Sequence, residues 1–190
     1  MKRNIILVGI IIIIVLVGGW YLLTHKSVNY EEIYKVFIKD KKYLNNYDKE
    51  VNGKVYYAYY DIDVDKVPEL IITLKDGKTE FETNLIYRIK DEKVSYVGKA
   101  YHYGDLVYDI DAKSIIYSSE RPSLIYGYVY QYYEIKDGRL KNTINLITEI
   151  NSNEYKYYIN TKEGEKKEIT KEEVSKYMTN ITGLTYTEIK

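Results

Sequence analysis

The spacing of hydrophobic and polar positions changes twice along the chain. From Ile5 to Leu23 it reads IILVGIIIIIVLVGGWYLL, 19 residues without a charge. At 1.5 Å of rise per residue that run makes about 28 Å of helix. It matches the thickness of a bilayer core and predicts a transmembrane helix. From Asn29 the spacing becomes amphipathic. Asn29 with Glu32 forms a cap signal, and Tyr30, Ile33, Tyr34, Phe37 and Leu44 recur on one helical face that only Lys41 interrupts. The pattern predicts a helix over 30–45.

After Asn52-Gly53 the chain turns to short β-branched and aromatic runs separated by turn residues, the mark of antiparallel strands. The expected strands cover 55–62, 69–74, 84–89, 94–97, 105–109, 114–118, 126–135, 139–149 and 155–160. Asp76-Gly77 and Asp137-Gly138 tolerate the positive φ of tight hairpin turns, and Asp91-Glu92 does so less well. Thr170 and Glu173 form a capping box that predicts a closing helix to about Asn180. The fold expectation is therefore α+β: an antiparallel meander sheet flanked by an N-terminal and a C-terminal helix, preceded by one transmembrane helix. There is no strict repeat. Tyr87-Arg88-Ile89-Lys90-Asp91 and Tyr133-Glu134-Ile135-Lys136-Asp137 rhyme, and are read as two similar hairpins rather than a duplicated functional unit.

Charge orients the apolar run. Lys2 and Arg3 precede it, and Trp20 and Tyr21 near its far end suit the headgroup interface. The reading is a cytoplasmic tail at 1–4, an anchor at 5–23 and an extracytoplasmic domain at 27–190. Val17-Gly18-Gly19 offers a rival signal-peptide cleavage position, but the apolar run continues through it. The 28 basic and 28 acidic residues of the chain balance only because Lys2, Arg3 and Lys26 lie before the domain; the domain itself is acidic. That removes a basic nucleic-acid footprint. With no Cys there is no disulfide framework, thiolate metal site or Cys nucleophile.

The densest chemistry is Tyr60-Asp61-Ile62-Asp63-Val64-Asp65-Lys66-Val67-Pro68-Glu69-Leu70-Ile71-Ile72. Four carboxylates inside nine residues repel one another unless a cation sits between them. With Asp61 as position one, Asp63, Asp65, the Val67 carbonyl and Glu69 fall at positions three, five, seven and nine, the oxygen spacing of a calcium loop. Position twelve is Ile72, so the bidentate Glu of an EF-hand is missing. Acids at one, three, five and nine ahead of an apolar strand resemble the calcium loops of integrin-type FG-GAP and VCBS repeats. The resemblance implies calcium as ligand, bound by Asp61, Asp63, Asp65, Val67 and Glu69 between two strands. It also implies Gly at positions four and six, where this chain has Val64 and Lys66. A β-branched residue in left-handed geometry costs about 1–2 kcal/mol, so Val64 points to an ordinary strand with Ile62 and Val64 inward and the three Asp in water. Lys66 is a second way to neutralise the acids.

More broadly, the helix, the acidic loop, the Lys-Asp hairpins and the closing ITKEEV segment are similar to a family of secreted or surface-attached proteins of unknown function from low-GC Gram-positive bacteria. That resemblance implies an extracytoplasmic α+β domain and no activity. His25 reads as a membrane flank. His102 is the sole imidazole of the domain, and no Gly-x-Ser-x-Gly elbow, phosphate loop or dinucleotide fingerprint accompanies it. No catalytic residue is assigned. The 25 Tyr serve equally as strand filler and as binding surface. The functional expectation is a membrane-anchored binding or scaffolding module that meets an envelope protein or a cell-wall polymer. An envelope hydrolase for glycan or peptide and an immunity or sensor subunit are the alternatives.

Overall fold

The computed structural model describes residues 29–47, 50–51, 53–75, 81–103, 106–120, 127–151, 154–161, 166–177 and 179–190. The tail 1–4, the anchor 5–23, His25, the Asp76-Gly77 turn and Met178 lie outside them. Among the described residues no helix is long and apolar enough to cross a membrane.

Helix α1 covers Tyr30–Lys39. Its N-cap is Asn29, whose side chain accepts from the Glu32 amide, and Glu31 and Glu32 sit favourably in the first turn. It is shorter than the expected 30–45. At Lys41 the backbone takes φ +52°, and a 3-10 turn, Lys42–Asn46, follows. The break delivers Tyr43 into the core, where it is 3% exposed and its carbonyl accepts from the Tyr87 hydroxyl at 3.1 Å. That tertiary gain outweighs the roughly 1–2 kcal/mol of a left-handed Lys.

The strands are β1 Val55–Tyr60, β2 Glu69–Lys75, β3 Phe81–Lys90, β4 Lys93–Tyr103, β5 Val107–Asp109, β6 Ser114–Glu120, β7 Gly127–Lys136, β8 Arg139–Asn151, β9 Glu154–Thr161 and β10 Lys166–Ile169. Two short ones, β11 Ile181–Gly183 and β12 Thr187–Glu188, close the chain. The body is β-rich and antiparallel throughout, but it is not one sheet. A five-stranded sheet runs β12-β1-β2-β3-β4 and a seven-stranded sheet runs β10-β9-β8-β7-β6-β5-β11. The expected closing helix shrinks to one turn, α2 at Lys171–Val174, with the capping box intact. Its continuation is diverted because the Asn180 carbonyl accepts from the Ile110 amide and its side chain donates to Asp111.

Both hairpins with rhyming sequences have two-residue turns with positive φ at each position, Asp91-Glu92 and Asp137-Gly138, the geometry that matches strand twist. The cost at Glu92 is accepted because β3 and β4 pair along ten positions.

Three apolar clusters fill the layers. Leu70, Ile72, Leu74, Leu85 and Tyr87 pack under Tyr34 and Tyr43 of the helical layer. Ile71, Ile86, Val97 and Ala100 face the second sheet, meeting Leu106, Tyr108 and Ile115. Ile116, Tyr132 and Leu146 lie on the far side, partly covered by Ile169, Tyr177 and Ile181. The sheets come so close at β4 that a Cβ on Gly98 would lie 2.7 Å from Leu140 Cβ. We expect Gly98→Ala to cost about 1–3 kcal/mol in urea unfolding, and a double variant with Leu140→Gly, which removes the opposing Cβ, to lose less than the two single changes together. Additive losses would show that Gly98 does not set the sheet spacing.

Candidate metal centre

The loop 61–68 joins β1 to β2, and neither of its ends is free to move. Tyr60 pairs with Glu69 across the ladder, and Ile62 is buried at 1% exposure. The Ile62 carbonyl accepts from the Tyr108 hydroxyl at 3.1 Å, and the Ile62 amide donates to Glu69 Oε2 at 2.8 Å. Between these fixed points the chain winds on itself. Asp61 accepts the Asp65 amide on Oδ1 and the Lys66 amide on Oδ2, each at 3.0 Å, and Asp65 Oδ1 accepts the Val67 amide at 2.8 Å.

Those bonds hold Val64 at φ +61° and Lys66 at φ +76°. The expectation of an ordinary strand edge is thus corrected. The chain leaves the strand at Tyr60, Val64 is 50% exposed rather than inward, and positions four and six take the left-handed turns that Gly normally supplies. The strain expected to prevent this conformation is present, held by the three backbone-to-carboxylate bonds and the buried Ile62.

The winding brings one oxygen from each of Asp61, Asp63 and Asp65 within 4.8 Å of one another. Two oxygens on one calcium ion at 2.3–2.6 Å lie at most about 5 Å apart, so the spacing fits such an ion. Asp63 Oδ1 is buried and accepts no hydrogen bond, which leaves an acceptor for a cation. Val67 lies in the same loop with its amide on Asp65. Glu69 is turned inward on the Ile62 amide, and the three-acid convergence does not include it.

Sequence reasoning missed two residues. Arg88 of β3 places Nη1 at 3.4 Å from Asp63 and Nη2 at 3.6 Å from Asp65, while Lys66 is exposed. Tyr108 of β5 caps the loop carbonyl from the other sheet. Both contacts are set by strand order, which no local pattern encodes. One guanidinium against the Asp61, Asp63 and Asp65 carboxylates leaves an excess of negative charge. Burial, then Asp65, raises the Asp63 pKa, and Arg88 opposes the rise. Burial is also the main cause that pushes Glu69 up to about 8, against the amide of Ile62 and the charge of Arg88. His102 lies in β4 opposite Glu82 in the ladder, on the other side of β3 from the loop's strand pair.

The chain matches no family model, no curated protein and no solved structure.

Two outcomes follow from this geometry. Val64→Gly removes a β-branched residue from left-handed backbone and gives back only part of that in unfolded-state entropy. It should therefore raise stability by about 0.5–1 kcal/mol, read from the urea midpoint at constant m. A loss would mean that Val64 is not strained. Glu69 holds its proton more tightly folded than unfolded, so its contribution is complete below about pH 4.5 and is lost as pH rises through about 8. In calcium-free buffer, melting temperature across pH 4.5–9 should fall less for Glu69→Gln than for the parent chain; parallel profiles would remove Glu69 as the cause.

Proposed function

We propose that this chain is a membrane-anchored binding or scaffolding module whose β-rich body lies outside the cytoplasm, and that calcium braces its Asp61–Glu69 loop. The observation that carries this reading is the convergence of the Asp61, Asp63 and Asp65 carboxylates on a loop already wound through left-handed positions four and six. Asp61, Asp63 and Asp65 hold the ion, and the Val67 carbonyl is next in the chain to complete its shell, while Glu69 stays on the Ile62 amide. The ion's contribution is structural: it neutralises charge that Arg88 only partly offsets and so fixes the link between β1 and β2. A millimolar-affinity site suits an extracellular module, where calcium is plentiful.

The binding role rests on surface chemistry. Tyr128 and Tyr155, 41% and 59% exposed, lie on the strands of the larger sheet. Such rings stack on sugars or fill a protein contact, which keeps a cell-wall polymer or an envelope protein as the partner class. The apolar run 5–23 supplies the tether.

Calorimetry of the full chain in detergent should show a melting temperature that rises by several degrees in millimolar calcium. Asp63→Ala should lose that rise, and protease added to intact cells should cut the body faster in chelator than in calcium. A body that external protease leaves intact would overturn the location. A parent chain indifferent to calcium would overturn the ion.

A further inference from the structure

The two rhyming hairpins share more than sequence. Tyr87, Ile89, Lys90 and Asp91 recur 46 residues later as Tyr133, Ile135, Lys136 and Asp137. Each hairpin has a left-handed two-residue turn followed by four strand pairs, and then a bulge at the same step, between Ile86 and Tyr87 in one and between Tyr132 and Tyr133 in the other. The correspondence extends into the neighbouring strands. Leu70 pairs with Tyr87 as Ile115 pairs with Tyr133, and Ile71 pairs with Ile86 as Ile116 pairs with Tyr132. The same tetrapeptide ends each first strand, Tyr60-Asp61-Ile62-Asp63 and Tyr108-Asp109-Ile110-Asp111, but shifted by one residue, since the ladders match Tyr59 with Tyr108.

Side-chain direction is shared as well. Leu70, Tyr87 and Ile89 face the helical layer, while their counterparts Ile115, Tyr133 and Ile135 face the first sheet. Ile71 and Ile86 face the second sheet, while Ile116 and Tyr132 face outward. Corresponding faces therefore point the same way, so the second sheet stacks on the back of the first. The hairpin sequences alone indicate two similar hairpins rather than a duplicated unit; the shared ladders, bulges and facing make them parts of a larger repeat.

The segment 181–189 addresses both copies. Its β11 pairs with β5, the first strand of one, and its β12 pairs with β1, the first strand of the other, each antiparallel. Ile181 packs on the outer cluster, Leu184 on the cluster between the sheets and Ile189 on the cluster under the helix. The Ile189 amide donates to the Val55 carbonyl at 2.9 Å, and Glu188 pairs with Lys54 at 3.1 Å. One extended segment thus sets an apolar anchor in every core of the body.

We infer that β1–β4 and β5–β8 are two copies of one four-stranded unit stacked face to back, and that segment 181–189 is a strap that seats on the first strand of each and makes them open together. The seat is a β-augmentation track: backbone groups of two strand edges take an extended peptide, and three apolar clusters receive Ile181, Leu184 and Ile189. The occupant is the chain's own segment.

Hydrogen–deuterium exchange of the full chain tests this. Ile189→Ser removes one anchor at the β1 end. A strap should respond as a unit, with amides of Ile181–Gly183 and the edge of β5 exchanging about tenfold faster although the change lies in another cluster. Excess synthetic peptide 180–190 should return that protection. Faster exchange confined to β1 and β12, with no effect of the peptide, would overturn the strap. Should Ile189→Ser fail to fold, the unsubstituted chain decides. In low denaturant, a strap's Ile181–Gly183 and Thr187–Ile189 amides share one opening free energy, and two separate values refute it.

Discussion

Strand β2 is buried on both faces, and much of the architecture follows from that. Glu69 through Leu74 are all buried, with Leu70, Ile72 and Leu74 directed to the helical layer and Ile71 to the second sheet. At about 1.5–3 kcal/mol for each large apolar side chain removed from water, neither face of this strand can be left open. The helix must cover one side and β5–β8 the other. The same constraint reaches the acidic loop, because the residue that opens β2 is Glu69, and a carboxylate sealed at that depth must find a donor. It takes the Ile62 amide, and so one end of the loop is fastened to the core.

The loop is therefore shaped by the body rather than by its own preferences. Val64 and Lys66 would not choose left-handed backbone in isolation. They adopt it because Ile62 and Glu69 fix the ends and because the Asp61 and Asp65 carboxylates collect the amides between. The result sets repulsion among three acids against the hydrogen bonds that impose it. Arg88 relieves part of the repulsion at Asp63 and Asp65, yet its contacts of 3.4 and 3.6 Å are longer than those of a close ion pair, and Asp65 remains partly in water. At Asp65, 42% exposed, such a pair contributes little, about 0–1 kcal/mol. The charge that Arg88 leaves unbalanced is what a bound cation would offset, and this is the physical content of the proposed calcium site.

What could be read from the sequence was local. The Asn29 cap, the Thr170–Glu173 box, the Asp137-Gly138 turn and the oxygen spacing of the acidic loop each depend on residues within a few positions of one another. What escaped was set across the fold. The run Leu70-Ile71-Ile72 carries no alternation, which is the trace of a strand covered on both sides, but it does not say by what. Lys41 breaks the first helix for the sake of Tyr43, a contact with strand β3 some forty residues away. Arg88 reaches the acids because β3 lies beside β2. The strands β11 and β12 are too short to leave any periodicity.

The repeat also explains why strand order mattered more than strand pattern. A sheet built once and stacked on its own back needs two different coverings, one for the exposed face of each end. Here the first is α1 and the second is the lesser cover of Ile169, Tyr177 and Ile181, which leaves Tyr128 and Tyr155 toward solvent. The open edges need covers too. At β10 the edge is four residues long and carries Lys166 and Lys167, a charged and short border that resists pairing with another chain. At β1 and β5 the edges are the apolar starts of the two units, and charge alone would not protect them. A single segment crossing both covers them with backbone pairing, β11 along β5 and β12 along β1.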